Sequence, residues 1–151
     1  MKKKIMLVAS SGGHWIQLNR LTSVFENNNH DLLYVTTLKF NREQVNNNAF
    51  FLVPDADRCN KLKIVMLAWK MFWLLVFQKP NIVISTGALP GFFAIFFGKK
   101  MGAKTIWLDS IANSQKLSMS GEKAGKYADL WLTQWEHLAQ PEGPHYYGAI
   151  I

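Results

Sequence analysis

Three short stretches of this sequence carry residue types able to hold and act on a charged ligand. The first is Ser10-Ser11-Gly12-Gly13-His14, directly after the apolar run Ile5 to Ala9. Glycines there let the backbone approach a ligand closely, and the free N–H groups of a following helix suit a diphosphate or carboxylate. The second is Ser85-Thr86-Gly87-Ala88-Leu89-Pro90-Gly91, again behind an apolar run. The third is Asp109-Ser110, an acid and a hydroxyl after Thr105 to Leu108. An acid so placed contacts a ligand or caps the next turn. An imidazole at position 14 can take a proton from a hydroxyl near neutral pH, or it can cap the helix or bind phosphate.

Several chemistries are excluded. Ser10 to His14 does not match G-x-G-x-x-G, and Thr36-Thr37 stands where a dinucleotide site needs an acid for the ribose. No Gly-Lys-Ser/Thr follows the glycines, so the loop is not of the Walker type, and G-x-S-x-G is absent. His14, His30, His137 and His145 have no i,i+4 pairing with an acid between them, so no metal site is expected. The single cysteine, Cys59, rules out an internal disulfide and fits a reducing compartment.

The elements that must position these residues follow from hydrophobic patterning. Lys4 to Ala9 reads as a buried strand, and Leu18, Leu21 and Phe25 mark the inner face of a helix, with Gln17, Asn19, Arg20 and Glu26 off it. Asn27 to His30 is a turn into a second strand, Asp31 to Thr36. A short polar helix over Arg42 to Asn47 and a third strand over Phe50 to Val53 come next, the strand stopped by Pro54. Leu62 to Phe77 is a helix apolar nearly all round. Pro80 then precedes a fourth strand over Ile82 to Ser85, a glycine turn through Gly91, and a helix from Phe92 to Met101. Lys104 to Asp109 and Asp129 to Thr133 are the fifth and sixth strands. Strands alternating with helices predict an α/β class: one Rossmann-like domain over residues 1–151, a parallel sheet flanked by helices. Its two glycine turns would meet in one crevice at the carboxyl ends of the strands.

Charge is unevenly distributed. The formal net charge is +7, and residues 56–110 hold eight Lys/Arg against two Asp together with the most apolar stretches. Basic residues mixed with Trp and Phe predict an anionic membrane surface as partner, not nucleic acid. The run Leu62 to Phe77 is too short to span a bilayer, for which about 20 residues are needed. Lys63, Trp69, Lys70 and Trp73, with Phe92, Phe96, Lys99 and Lys100 on the next helix, are the expected membrane contacts, unless these helices simply cover the sheet. An apolar end at Ala149 to Ile151 without a closing helix predicts that another chain covers it. A cleft suited to diphosphate, beside a basic apolar flank, matches a ligand combining diphosphate, sugar and lipid tail.

The order Ser11-Gly12-Gly13-His14, Ser85-Thr86-Gly87 with Pro90-Gly91, Gly102-Ala103-Lys104-Thr105 with Asp109-Ser110, and Ala128-Asp129-Leu130 with Gln134-Trp135 carries a family resemblance. Over residues 4–150 the chain resembles the acceptor-side, membrane-recruiting subunit of the two-subunit N-acetylglucosaminyltransferase that builds dolichol-linked oligosaccharide. It is equally similar to bacterial subunits serving capsule and exopolysaccharide assembly, and also to the N-terminal half of the peptidoglycan lipid-intermediate transferase. The family usually has Glu at the position of Asp109 and Ala-Arg at that of Ala112-Asn113.

The resemblance implies the N-terminal half of a GT-B glycosyltransferase, with a separate protein as the donor-binding half of a heterodimer. His14 would serve catalysis. Ser11, Gly12 and Gly13, the facing loop of Thr86, Gly87, Pro90 and Gly91, and Asp109 with Ser110 would bind a polyprenyl-diphosphate-sugar acceptor. No cofactor or metal is expected on this chain, a UDP-sugar donor binding mainly the partner. Eukaryotic members carry an N-terminal anchor, whereas here the first strand starts at once. The expected location is therefore peripheral, on the cytoplasmic face of a bacterial membrane. A non-catalytic docking scaffold and a standalone nucleotide-binding enzyme are the alternatives.

Overall fold

The computed structural model describes residues 1–26 and 28–150. Asn27, from the turn expected before the second strand, and Ile151, from the expected apolar end, lie outside the described residues. In chain order the elements are β1 (Lys4–Ala9), α1 (Gly13–Glu26), β2 (Asp31–Thr36), a 3-10 turn (Lys39–Gln44), β3 (Ala49–Leu52) and α2 (Lys61–Gln78). Next come β4 (Ile82–Gly87), α3 (Ala88–Lys100), β5 (Lys104–Leu108), α4 (Met119–Gly125), β6 (Leu130–Thr133), a 3-10 turn (Glu136–Leu138) and β7 (His145–Tyr146).

All strand pairs are parallel, in the order β3-β2-β1-β4-β5-β6-β7. The expected Rossmann-like α/β architecture is observed. After β1 the chain first builds outward to β2 and β3, then returns through α2 to β4 on the other side of β1. Right-handed crossovers that reverse direction must place their helices on opposite faces. Accordingly Trp15 and Leu18 of α1 pack with Ile5, Leu7, Ala9, Tyr34 and Ile84. Leu67, Met71 and Leu75 of α2, Ala94 and Ile95 of α3, and Ala124 of α4 pack with Met6, Val8, Val35 and Val83 on the other face. Burial on both faces is why β1 reads as an uninterrupted apolar run. The reversal leaves a crevice at the carboxyl ends of β1 and β4, where open sheets of this kind bind ligands.

Several boundaries differ from the sequence reading. The polar segment before β3 is a 3-10 turn three residues earlier, over Lys39–Gln44, where Asn41 turns inward and its Nδ2 donates to Thr36 Oγ1 at 3.1 Å. The third strand begins at Ala49 and ends at Leu52, although Val53 N still donates to Thr36 O at 2.9 Å. The fifth and sixth strands exclude Asp109 and Asp129, whose carboxylates serve as anchors. Helix α4 and strand β7 have no counterpart in the sequence reading.

Asp129 shows how one such anchor works. Its Oδ2 accepts from Thr105 N at 2.9 Å and Thr105 Oγ1 at 3.1 Å, and its Oδ1 pairs with Lys99 Nζ. The Lys99 hydrogen bond, aided by the Thr105 contacts, holds this carboxyl below the ordinary value of 3.8 against an opposing effect of burial. A pKa depressed in the folded state stabilises above the unfolded value, and the contribution is lost as pH falls through the folded one. Asp129→Asn should therefore cost stability at neutral pH, and the gap from the parent protein should close in acid. Urea unfolding from pH 7 to pH 2 measures this, and a pH-independent gap would rule out the titration.

Candidate functional site

The turn after β1 is built to stay open. Ser11 N donates to Thr37 Oγ1 at 3.1 Å, and the two hydroxyls lie 3.2 Å apart, tying the turn to the end of β2. Gly12 adopts φ +82°, and its carbonyl accepts the first helical bond from Ile16 N at 3.1 Å. Gly12 and Gly13 are exposed, and a β-carbon at either would meet nothing within 4 Å. This is a patch of bare backbone at a helix start, beside the β1/β4 crevice.

His14 is clamped across that crevice. Its Nδ1 lies 2.9 Å from Thr86 O, while Thr86 Oγ1 donates to His14 O at 2.6 Å. A carbonyl only accepts, so Nδ1 carries a proton, and in the neutral imidazole Nε2 is the acceptor. Nε2 has no hydrogen-bond partner among the described residues. Gly87 makes the clamp possible: at φ +144° it has no β-carbon, and one placed there would sit 2.3 Å from His14 Nδ1. Ala88 follows at φ +65°, so two consecutive residues have positive φ where β4 becomes α3. Such conformations cost about 1–3 kcal/mol each at non-glycine residues and persist where the surroundings impose them. His14, Thr86 and Gly87, 72 residues apart at their hydrogen bond, thus form one unit.

Pro90 and Gly91 do not form the expected facing loop. Helix α3 begins at Ala88, so both lie in its first turns and are buried. Proline is tolerated there because the N–H it lacks has no helical partner. A β-carbon on Gly91 would lie 1.9 Å from Ser85 Oγ and 3.2 Å from Trp107, so this glycine lets α3 pack against β4 and β5.

Asp109 and Ser110 lie on the same sheet edge, but their polar atoms are engaged by the chain. Asp109 is 2% exposed. Its Oδ2 accepts from Ser118 N at 2.8 Å and its Oδ1 from Ser118 Oγ at 2.6 Å, anchoring the residue whose hydroxyl caps α4. Ser110 Oγ accepts from Gln17 Nε2 at 3.1 Å and Ala112 N at 3.3 Å. The structure thus gives both residues a positioning geometry.

The sequence reading missed the centre of that network. Gln17, which the helical pattern places off the buried face of α1, is 6% exposed, because its amide is paired. Its Oε1 accepts from Ile111 N at 3.2 Å and from Gln134 Nε2 at 2.6 Å. Gln134 also donates to Asp109 O at 2.9 Å and accepts from Ile150 N at 2.8 Å. The one signal in the sequence was Gln134 within the motif Gln134-Trp135.

The expected membrane residues divide. Lys63, Trp69, Lys70 and Trp73 are exposed on α2. Leu62, Val65, Met66 and Phe77 are exposed as well, and the fully buried residues of α2 are the stripe Leu67-Met71-Leu75. Trp73 stacks on Phe77 with centroids 5.7 Å apart. Phe92 and Phe96 are half-buried and stack at 6.1 Å, with Lys100 Nζ 5.2 Å above the Phe96 ring. Lys99 is exposed too, and its ammonium pairs with Asp129. No helix among the described residues is long and apolar enough to cross a membrane.

No family model matches the chain. It is 25% identical to the UDP-N-acetylglucosamine transferase subunit ALG14 of Debaryomyces hansenii, over 97% of this chain and 76% of that protein. The same subunit of Candida albicans is 22% identical over 98% of this chain and 78% of its own length. That of Schizosaccharomyces pombe is 25% identical over 91% and 78%. Among solved structures, MurG of Acinetobacter baumannii superposes with a TM-score of 0.77 at 11% identity, covering 97% of this chain and 45% of MurG. The UDP-N-acetylglucosamine 2-epimerase of Rickettsia bellii gives 0.68 at 16% identity over 91% and 40%. This chain spans less than half of either structure, and the likeness is one of fold. The resemblance drawn from the motifs, to the N-terminal half of GT-B transferases and to the oligosaccharide-building subunit, agrees with these relatives.

Proposed function

We propose that this chain, similar along nearly its whole length to ALG14 subunits, is the acceptor-side subunit of a heteromeric glycosyltransferase. It takes a polyprenyl-diphosphate-linked sugar at the cytoplasmic face of the membrane, and a separate subunit holds the UDP-sugar donor. The setting is lipid-linked oligosaccharide, capsule or exopolysaccharide assembly. The observation that carries this reading is the clamped imidazole: Nδ1 held on Thr86 O, Nε2 open, beside the bare backbone of Gly12-Gly13.

In the reaction, an acceptor hydroxyl attacks the anomeric carbon of the donor sugar. Nε2 of His14 takes the hydroxyl proton as the new C–O bond forms. The bond to UDP breaks, and its electron pair leaves with the diphosphate on the partner. Gly12 and Gly13 let the backbone meet the acceptor closely near the bond being formed.

The reading is tested by capturing the tagged chain from its native cells in mild detergent and identifying the proteins that co-purify with it. One small partner with a nucleotide-sugar site is expected, and the pair, not the chain alone, should transfer sugar to a polyprenyl-diphosphate acceptor. Transfer by the isolated chain, or tight UDP-sugar binding to it alone, would overturn the division of labour.

Membrane docking makes a separate prediction. The exposed face of α2 adds apolar insertion to charge attraction, and each basic residue near an anionic surface is worth about 1 kcal/mol. The triple variant Lys63→Glu, Lys70→Glu, Lys100→Glu should lose most co-sedimentation with phosphatidylglycerol vesicles. Equal sedimentation with neutral vesicles would refute an electrostatic contribution.

A further inference from the structure

We propose that the cleft between the starts of α2, α3 and α4 seats an isoprenoid diphosphate, the anionic head and first isoprene units of the lipid-linked acceptor. This rests on the acceptor reading above and identifies where the lipid part of that acceptor enters. The cleft encloses about 350 Å³ and is lined by Arg58, Ile64, Leu89, Phe92, Phe93 and Lys123, closed off by Met119 and Ser120.

Its rim carries two cations without acidic partners. Ion pairs among the described residues are Lys2–Asp31 and Lys99–Asp129, so neither Arg58 nor Lys123 is neutralised. The Arg58 guanidinium rests against the Met119 sulfur, and both cations are exposed. Asp57, the acid nearest Arg58 in sequence, directs Oδ1 to the backbone N–H groups of Cys59 and Asn60. Beneath the cations the floor is aliphatic and aromatic. Two charges needing an anion above an apolar floor match an amphiphile and not a free phosphate.

The cleft also has an apolar exit. Phe93 stacks on Phe97 at 6.1 Å, Phe97 meets Phe72 of α2 at 5.5 Å, and Phe72 meets the exposed Trp73 at 5.5 Å. These rings form a continuous aromatic surface from the cleft to the exposed face of α2. At its other end, Leu89 stands two residues from Gly87, which packs against the His14 ring. An isoprenoid chain rising from the membrane along the rings would bring its diphosphate between Arg58 and Lys123, next to the catalytic turn. Ligand pockets run from about 300 to 1,000 Å³. At about 350 Å³ this cleft lies at the lower end of that range.

Calorimetric titration of the full chain with farnesyl diphosphate tests this, with farnesol, inorganic pyrophosphate and dihexanoyl phosphatidylglycerol as comparisons. Farnesyl diphosphate should bind tightest of the four, and the double variant Arg58→Gln, Lys123→Gln should bind it about 10-fold or more weakly, since charge-assisted hydrogen bonds are lost. Ile64→Asn, which makes the floor polar without adding charge, should weaken farnesyl diphosphate and leave pyrophosphate unchanged. Equal affinity in parent and double variant, or equal binding of the phospholipid, overturns the proposal. If the reconstituted pair transfers sugar and the double variant keeps the parent's acceptor KM, the cleft assignment falls and the function stands. If farnesyl diphosphate binds as expected but no pair transfers sugar, the function falls and the cleft assignment stands.

Discussion

Replacing His14 with alanine is expected to lower kcat of the reconstituted pair by about 10²- to 10⁴-fold, the usual worth of a positioned general base. The fold should survive. The hydrogen bond from Thr86 Oγ1 to His14 O is made by the backbone and persists in the variant. Alanine is also the best helix former for the first turn of α1. Only the bond from Nδ1 to Thr86 O is lost, which costs about 1 kcal/mol. Single-turnover rates with a polyprenyl-diphosphate acceptor, alongside a thermal unfolding curve, separate the two effects. Turnover unchanged from the parent would remove His14 from the chemistry and leave a docking scaffold as the reading.

Gly87→Ala should reproduce much of that loss without touching the imidazole. A β-carbon 2.3 Å from Nδ1 and 2.4 Å from Cε1 must push the ring off Thr86 O. The backbone at φ +144° adds strain, so destabilisation of about 1–3 kcal/mol is expected with a rate close to that of His14→Ala. The two variants should be strongly non-additive. In the His14→Ala background the clashing ring is gone, so adding Gly87→Ala should cost little further rate and less stability than it does alone. Gly12→Ala provides the contrast: φ is +82°, but its β-carbon meets nothing within 4 Å. That variant should lose about 1–2 kcal/mol to backbone strain and keep the ring in place. Additive rate losses for Gly87→Ala and His14→Ala would show that the glycine acts through something other than the ring.

Much of the frame was legible because burial on both faces leaves a plain signal. β1 and β4 are apolar runs that end in small residues, and alternation with helices implies parallel strands and a crevice at their carboxyl ends. The glycine turn at Gly12-Gly13 was readable for the same reason: nothing but a tight turn fits between that strand and that helix. Other features were illegible at short range. Gly91 looks like a loop glycine, yet it lies in a helix, and the need for it comes from Ser85 and Trp107 on two strands. Helix α4 contains two glycines in seven residues, and its start is set by Ser118, which Asp109 holds from the end of β5.

By itself the sequence determined which residues sit at the carboxyl edge of the sheet, because strand and helix periods are local properties of the chain. The tertiary structure alone decided which of them remain free. Asp109 and Ser110 are occupied by Ser118 and Gln17, Lys99 by Asp129, and Gln17 by an amide 117 residues away. The apolar sides of α2 were likewise indistinguishable until packing chose the Leu67-Met71-Leu75 stripe and left Trp69 and Trp73 outside. A buried polar group must find a partner wherever the fold brings one. The availability of a side chain for chemistry therefore depends on distant residues, and at the expected catalytic and acceptor-binding positions the Nε2 of His14 and the backbone of Gly12-Gly13 were left open.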